Sequence, residues 1–191
     1  MKLLRGDLLR GCSIALVDGA AGLRSLLESL GALVLDVAAR ELGEDGVAEG
    51  WARERGQLDA LVCDIGFTAG GDGSRLEALD RAWPVIQGVA AGSLIPSGPP
   101  GGGATRKVVL LGPRAGDGGS VDAEPARAAL ENLARTLSIE WARYSIVATM
   151  IAPGAGTTAD EVATLVAFLC SPAGHYYSGC RFTLGAVTDR R

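Results

Sequence analysis

The chain has a single histidine, His175, a single asparagine, Asn132, and only two lysines, Lys2 and Lys107. Aromatic residues make up 5% of it. One histidine argues against a histidine-rich metal site. The four cysteines, Cys12, Cys63, Cys170 and Cys180, form no CxxC pair, which removes the usual zinc and redox motifs. Scattered cysteines in a chain this long are expected as reduced, mostly buried thiols of a cytoplasmic protein. Basic residues are not in surplus: 18 Lys and Arg stand against 22 Asp and Glu, for a net charge of −4. The electrostatic footprint of a nucleic-acid binder is therefore missing. No apolar run approaches the ~18 residues of a membrane helix. Leu8 to Cys12 has the outline of a lipoprotein cleavage box, but Arg5, Asp7 and Arg10 break up the apolar stretch, so residues 1–12 read as a lead-in.

What is present is a chain of 191 residues, 48% hydrophobic. That is enough for one domain, 1–191, with a sizeable core. Glycine is abundant, with 28 residues, roughly twice the usual share. It collects at turns and in two loops, 70–73 and 98–103. No collagen period, internal repeat or linker accompanies it.

Short apolar runs at 13–17, 32–37, 58–65, 107–111, 145–152 and 181–184 read as strands. Helical spacing predicts helices over 22–30, 45–55, 76–92, 122–143 and 160–169. Gly31 and Gly56 stop the first two. Pro84 predicts an irregularity early in the third. Asp122 is the predicted N-cap of the fourth. A Pro/Gly/Ser loop spans 96–105. Alternating strands and helices imply a doubly wound parallel sheet in three layers. Such sheets bind ligands beyond the carboxyl ends of their strands, here after Val17, Val62, Leu111 and Ile151.

Five stretches, in order, resemble the short-chain dehydrogenase/reductase family: LDALVCDIG (58–66), ARAALENLARTLSIEWARYSI (126–146), ATMIAPG (148–154), DEVATLVAFLCSP (160–172), and YYSG followed by FTLGA. The resemblance spans nearly the whole chain. It implies a Rossmann-like fold and hydride transfer on NAD(P)(H) by a serine, a tyrosine and a lysine. The tyrosine moves the carbonyl proton, the lysine lowers its pKa and holds ribose, and the serine orients the substrate oxygen. Here the serine position falls on Pro113, or on Gly112 with a one-residue slip. The tyrosine position falls on Ala123 and the lysine on Arg127. The absence of the YxxxK pair does not depend on alignment. Four residues beyond Tyr144, Tyr176 and Tyr177 stand Ala148, Cys180 and Arg181. An arginine keeps its proton and has no phenol to activate. No asparagine stands near 87–91, where the family keeps an assisting one. The expected set of catalytic residues is therefore empty.

The resemblance also implies a TGxxxGxG turn holding the pyrophosphate. Here it reads Asp18-Gly19-Ala20-Ala21-Gly22-Leu23-Arg24. It is one residue short, opens on an acid, and has Arg24 for its last glycine. Arg24 is read as a surface arginine paired with a nearby acid, with phosphate contact as the alternative. Asp36 stands near the ribose-binding position, and Cys63-Asp64-Ile65-Gly66 replaces Asn-Asn-Ala-Gly. Asp18, Gly19, Gly22, Arg24, Asp36, Asp64 and Gly66 are thus the remnant of a site expected to have lost its nucleotide. No cofactor is expected, NAD(P) only if this remnant still holds it, and no metal. The 32–58 interval lacks room for the family's extra helix and strand beside the adenine. The substrate lid is missing after Pro153-Gly154. One flanking β-α unit and the lid are thus shortened or deleted.

The leading expectation is a non-catalytic subunit. It would assemble with a homologous subunit, in a homo- or hetero-oligomer, through helix 122–143 and segment 160–186. No nucleic acid or membrane partner is expected. One alternative is an oxidoreductase rebuilt around Arg127, Arg114, Asp64 and Asp117. Another is a regulatory module binding some other small molecule. Trp51, Trp83, Trp141 and the His175-Tyr176-Tyr177 run are read as core or interface contacts.

Overall fold

The computed structural model describes residues 4–67, 74–95, 105–116 and 122–185. The glycine loops 70–73 and 98–103, Asp117 and residue 186 lie outside them, as does all of the 96–105 loop but its last residue. The elements are β1 (Ser13–Val17), α1 (Ala21–Ser29), β2 (Leu33–Val37), α2 (Ala39–Leu42), α3 (Val47–Arg55), β3 (Ala60–Asp64), α4 (Arg75–Val89), β4 (Arg106–Leu111), α5 (Ala123–Glu140), β5 (Ile146–Pro153), α6 (Ala159–Cys170) and β6 (Arg181–Leu184). The six strands form one parallel sheet in the order β2-β1-β3-β4-β5-β6. In the doubly wound order 3-2-1-4-5-6, two strands lie beyond the first. Among the described residues that wing holds β2 alone, and the four-residue α2 follows it. The chain thus has the expected fold class, one β-α unit short on this side.

Strands β3, β4 and β5 are buried along their whole length. This is why they read as unbroken apolar runs. Alternation then divides the core. Ala15, Val17, Leu61, Cys63, Val108, Leu110, Ala148 and Met150 face α3, α4 and α5. Ile14, Leu16, Ala60, Val62, Val109 and Leu111 face α1 and α6. Gly31, at φ +97°, ends α1: its N–H bonds the carbonyl of Glu28, and that of Ala32 bonds Leu27. These two bonds form a Schellman stop. Thr158 and Glu161 form a capping box on α6.

Two expectations need correction. Helix α4 runs through Pro84, and the irregularity comes later, as a π-helical turn at Ala90–Leu94. That turn aims Ser93 at the loop entering β3. Its Oγ donates to the carbonyl of Gly56 at 2.7 Å and accepts from the N–H of Leu58 at 2.7 Å. Asp122 makes no side-chain cap on α5. Its carboxylate instead takes the Ser74 hydroxyl at 2.5 Å and the Leu76 N–H at 3.1 Å. It therefore buttresses the start of α4, 48 residues upstream. Helix α5 stops at Glu140, and residues 142–144 form a separate 3₁₀ turn.

The seam between α3 and α4 explains part of the glycine content. A Cβ on Gly88 would lie 2.5 Å from that of Ala48, and one on Gly92 2.4 Å from the Glu49 carbonyl oxygen. The helices meet backbone to backbone. No helix of the described residues is long and apolar enough to cross a membrane. All four cysteines are unbridged. Cys63 and Cys170 are buried, Cys12 and Cys180 partly so. Burial raises the Cys63 thiol pKa, and that of Cys170 to about 12.

Two cations are buried at the amino end of β4, Arg106 and Lys107. Burial lowers the Lys107 pKa, against the weaker pull of Asp59 and neighbouring thiols. A lysine whose folded pKa is lowered penalises the fold below that pKa, and relief comes as pH rises through it toward the unfolded value of ~10.4. In Lys107→Met this alkaline gain disappears and stability at neutral pH rises by about 1 kcal/mol or more. Urea unfolding at several pH values checks both. Gly92→Val, which drives side-chain atoms into the backbone of α3, costs about 3 kcal/mol in the same assay.

Candidate functional site

The carboxyl ends of the strands converge where β1 and β3 diverge from their helices, the switch point of this sheet. At the end of β1, Asp18 sits in the left-handed region, φ 53°. Its N–H bonds the Val37 carbonyl at 3.0 Å, and its Oδ1 accepts the Ala39 N–H at 3.0 Å. The carboxylate thus ties the turn to the start of α2. Next to it, a Cβ on Gly19 would run into the Leu16 side chain, whereas Gly22 faces open space. Neither α1 nor its N-cap Ala20 offers a side-chain cap.

Arg24 and Asp36 are joined. The Arg24 Nη1 donates to Asp36 Oδ2 at 2.7 Å and its Nε to Glu28 Oε1 at 2.8 Å. Bonds to Glu28 and then to Asp36 raise the arginine's pKa further. The last residue of the expected phosphate turn and the expected ribose acid are thus bonded to each other. A cleft of about 350 Å³ remains beside them, lined by Asp18, Gly19, Asp36, Val37, Ala38 and Glu41. With three carboxylates and no basic side chain on its wall, it repels a phosphate and suits a cationic or hydroxyl-rich group.

The end of β3 is closed as well. Asp64 is buried, and its Oδ1 accepts the Phe67 N–H at 2.8 Å. Ile65 is 1% exposed, in the core beneath α4. Gly66, at φ +106°, is covered by Arg75, whose Cδ would lie 2.8 Å from a Cβ there. The Arg114 guanidinium stacks on the Phe67 ring, 4.1 Å from its centroid, and donates to the Thr157 carbonyl. One arginine thus links the ends of β3 and β4 to the turn before α6. Thr157 in turn receives the Gly154 N–H on its Oγ1 at 2.9 Å and bonds the Leu184 carbonyl at 3.1 Å.

Pro113, Ala123 and Arg127 come together at the ends of β4 and β5. Ala123 and Arg127 lie one turn apart on the buried face of α5. Arg127 Nη1 donates to the Pro113 and Pro153 carbonyls, both at 2.7 Å, and its Nε lies 3.3 Å from Glu124. Burial lowers its pKa, and Glu124 partly opposes this. The guanidinium is a clamp between two strand ends. A side chain on Gly112 would meet Met150 at 2.8 Å and Leu130 at 3.3 Å, so a serine there would face the core. The tyrosines lie elsewhere. Tyr144 precedes β5, and Tyr177 packs on Phe168 and Phe182 before β6, at the amino ends of the strands. Tyr176 is 87% exposed. Asp117 lies outside the described residues. Among those described, no group of three or more His, Cys, Asp or Glu could hold a metal ion.

Sequence reasoning missed Arg75, Glu41 and Thr157. Arg75 opens a helix, where a charged side chain ordinarily points to water, and nothing local marks it as buried.

No family model matches the chain, and no curated protein matches its sequence. Solved structures do match its shape. The citronellol catabolism dehydrogenase AtuB of Pseudomonas aeruginosa PAO1 superposes with a TM-score of 0.70 at 20% identity, over 95% of this chain and 96% of that one. A short-chain dehydrogenase/reductase from Serratia marcescens gives 0.64 at 20% identity, over 93% and 97%. The 3-alpha-hydroxysteroid dehydrogenase of Pseudomonas sp. B-0831, complexed with NADH, gives 0.62 at 21%, over 90% and 94%. At these identities the likeness establishes the fold: a Rossmann-like α/β fold of the short-chain dehydrogenase/reductase kind.

Removing the Arg127 clamp leaves two buried carbonyls without their shared donor. Arg127→Met is expected to cost about 2–4 kcal/mol in urea unfolding. Arg127→Lys recovers less than half, because the shorter side chain falls short of both carbonyls and its ammonium, more strongly hydrated than a guanidinium, costs more to bury.

Proposed function

We propose that the chain is a non-catalytic subunit of short-chain dehydrogenase/reductase fold. It serves as a structural or regulatory partner of a catalytically complete NAD(P)-dependent dehydrogenase. The observation that carries this reading is the Arg127 clamp. At the position the resemblance assigns to the lysine, a buried guanidinium is spent on the Pro113 and Pro153 carbonyls. It has no tyrosine to activate, because the position one turn earlier is Ala123.

The residues present do not fit a dinucleotide. Asp18 puts negative charge where the pyrophosphate would lie, and Asp36, the acid near the ribose position, is bonded to Arg24, which Glu28 also holds. The steroid dehydrogenase of similar fold was solved with NADH, so the fold itself is no obstacle; these side chains are.

A partner role needs a surface, and α4 and α5 offer one. A groove of about 490 Å³ between them is lined by Leu79, Trp83, Leu133 and Leu137, with Asp80 and Glu140 among its polar residues. Ile139, on the same helix, is 78% exposed. A complete homologue presenting its own pair of helices would cover this apolar strip.

A second reading, a small-molecule-binding module, draws support from the acidic cleft beside Asp18, Asp36 and Glu41. Its ligand would carry positive charge or hydroxyls rather than phosphate.

Titration calorimetry with NAD, NADH, NADP and NADPH is expected to give no binding below millimolar concentration. Co-expression with dehydrogenases encoded beside this chain is expected to yield a complex that Ile139→Glu weakens. Purification as a lone chain that alters no partner's activity would overturn the partner reading. A thermal shift with amines or sugars, but not nucleotides, would favour the second.

A further inference from the structure

Among the described residues, the short wing of the sheet leaves β2 paired on one side only, with β1. Its main chain decides what can bind the other side. The Leu33 N–H bonds the Cys12 carbonyl at 2.8 Å, and the Val37 carbonyl accepts from Asp18 at 3.0 Å. In a parallel ladder both groups of one residue point the same way, and residues alternate. Leu33, Leu35 and Val37 therefore bond toward β1. The N–H and C=O groups of Val34 and Asp36 point outward.

Proteins usually blunt such an edge with lysine, proline or a bulge. Residues 33–37 read LVLDV, with none of these. The only charge is Asp36, already bonded to Arg24. Leu33 is 60% exposed, and Leu35 and Val37 are only partly covered.

We infer that β2 is a self-association edge, and that its partner is β2 of a second copy of this chain, added antiparallel about a two-fold axis through Leu35. The register is self-consistent. Val34 of one copy faces Asp36 of the other, and these are the residues with outward main-chain groups. Each such pair exchanges both hydrogen bonds, four in all. Leu35 faces Leu35 and Leu33 faces Val37 in the closer, non-bonded pairs, where apolar side chains gain most. The charges are compatible as well. No Asp36 lies opposite another, and each keeps its own Arg24. Centring the axis on Asp36 instead would oppose two carboxylates. A second copy brings the same edge by symmetry, its own Leu33, Leu35 and Val37 meeting these on one face.

This interface is independent of the α4–α5 groove, so its test can fail separately from that of the partner reading. Sedimentation velocity of the purified chain, from micromolar to millimolar concentration, is expected to detect a concentration-dependent dimer. Leu33→Lys, at an exposed position, weakens it roughly tenfold or more. Val34→Pro removes an outward N–H without touching the β1 ladder and abolishes it. Ile139→Glu, in the other surface, leaves it intact. Hydrogen exchange at the Val34 and Asp36 amides slows as the protein is concentrated. Four results overturn the proposal: a monomer throughout, a dimer unaffected by Leu33→Lys, a dimer dissolved by Ile139→Glu, or amide exchange at 34 and 36 independent of concentration. If Val34→Pro does not fold, Leu33→Lys and the exchange rates decide.

Discussion

A parallel sheet must be covered on both faces, and the rest of this molecule follows from how that is done with few residues. On one face α1 and α6 lie over β1, β3 and β4 with ordinary leucine and valine contacts. On the other, α3 is pressed onto α4 at Gly88 and onto the π turn at Gly92, where nothing larger than the Ala48 and Ala52 methyl groups intervenes. Small residues on both sides of that seam, Ala48 and Ala52 included, let a nine-residue helix cover a strand junction. Close packing of this kind leaves little room for compromise. It ties the high glycine content to the core as much as to turns.

The carboxyl ends of the strands tell a second story. In a nucleotide-binding sheet these ends stay open so that backbone amides can meet a ligand. Here four arginines occupy them. Arg24 takes Asp36, Arg75 covers Gly66, Arg114 reaches from Phe67 to Thr157, and Arg127 joins β4 to β5. Three of them bond groups of the protein itself and the fourth covers a backbone turn, so the strand ends are held by the protein's own side chains.

The central strands β3, β4 and β5 were legible because burial on both faces leaves unbroken apolar runs, and β1 and β6 match their expected bounds as well. The missing YxxxK pair was legible too, since it needs only a count of tyrosines. What Arg127 does, at the position that the resemblance assigns to a lysine, was not. The clamp depends on Pro113 and Pro153 arriving 14 and 26 residues away from Arg127, and local pattern carries no trace of that. The same limit applies to Asp122. It looks like a cap for its own helix, yet its carboxylate is used 48 residues upstream. Pro84 misled in the opposite sense. Proline signals a break locally, but packing on α3 carries the helix through, and the geometry yields only at the π turn.

Through that π turn, α4 reaches back to the strand it follows. The turn winds wider than an α-helix and presents Ser93 to the loop entering β3, where one hydroxyl serves both the Gly56 carbonyl and the Leu58 N–H. Leu94 beside it is fully buried. The amino end of a central strand is thus moored from a helix that comes later in the chain, so β3 is secured at that end only once the end of α4 has wound.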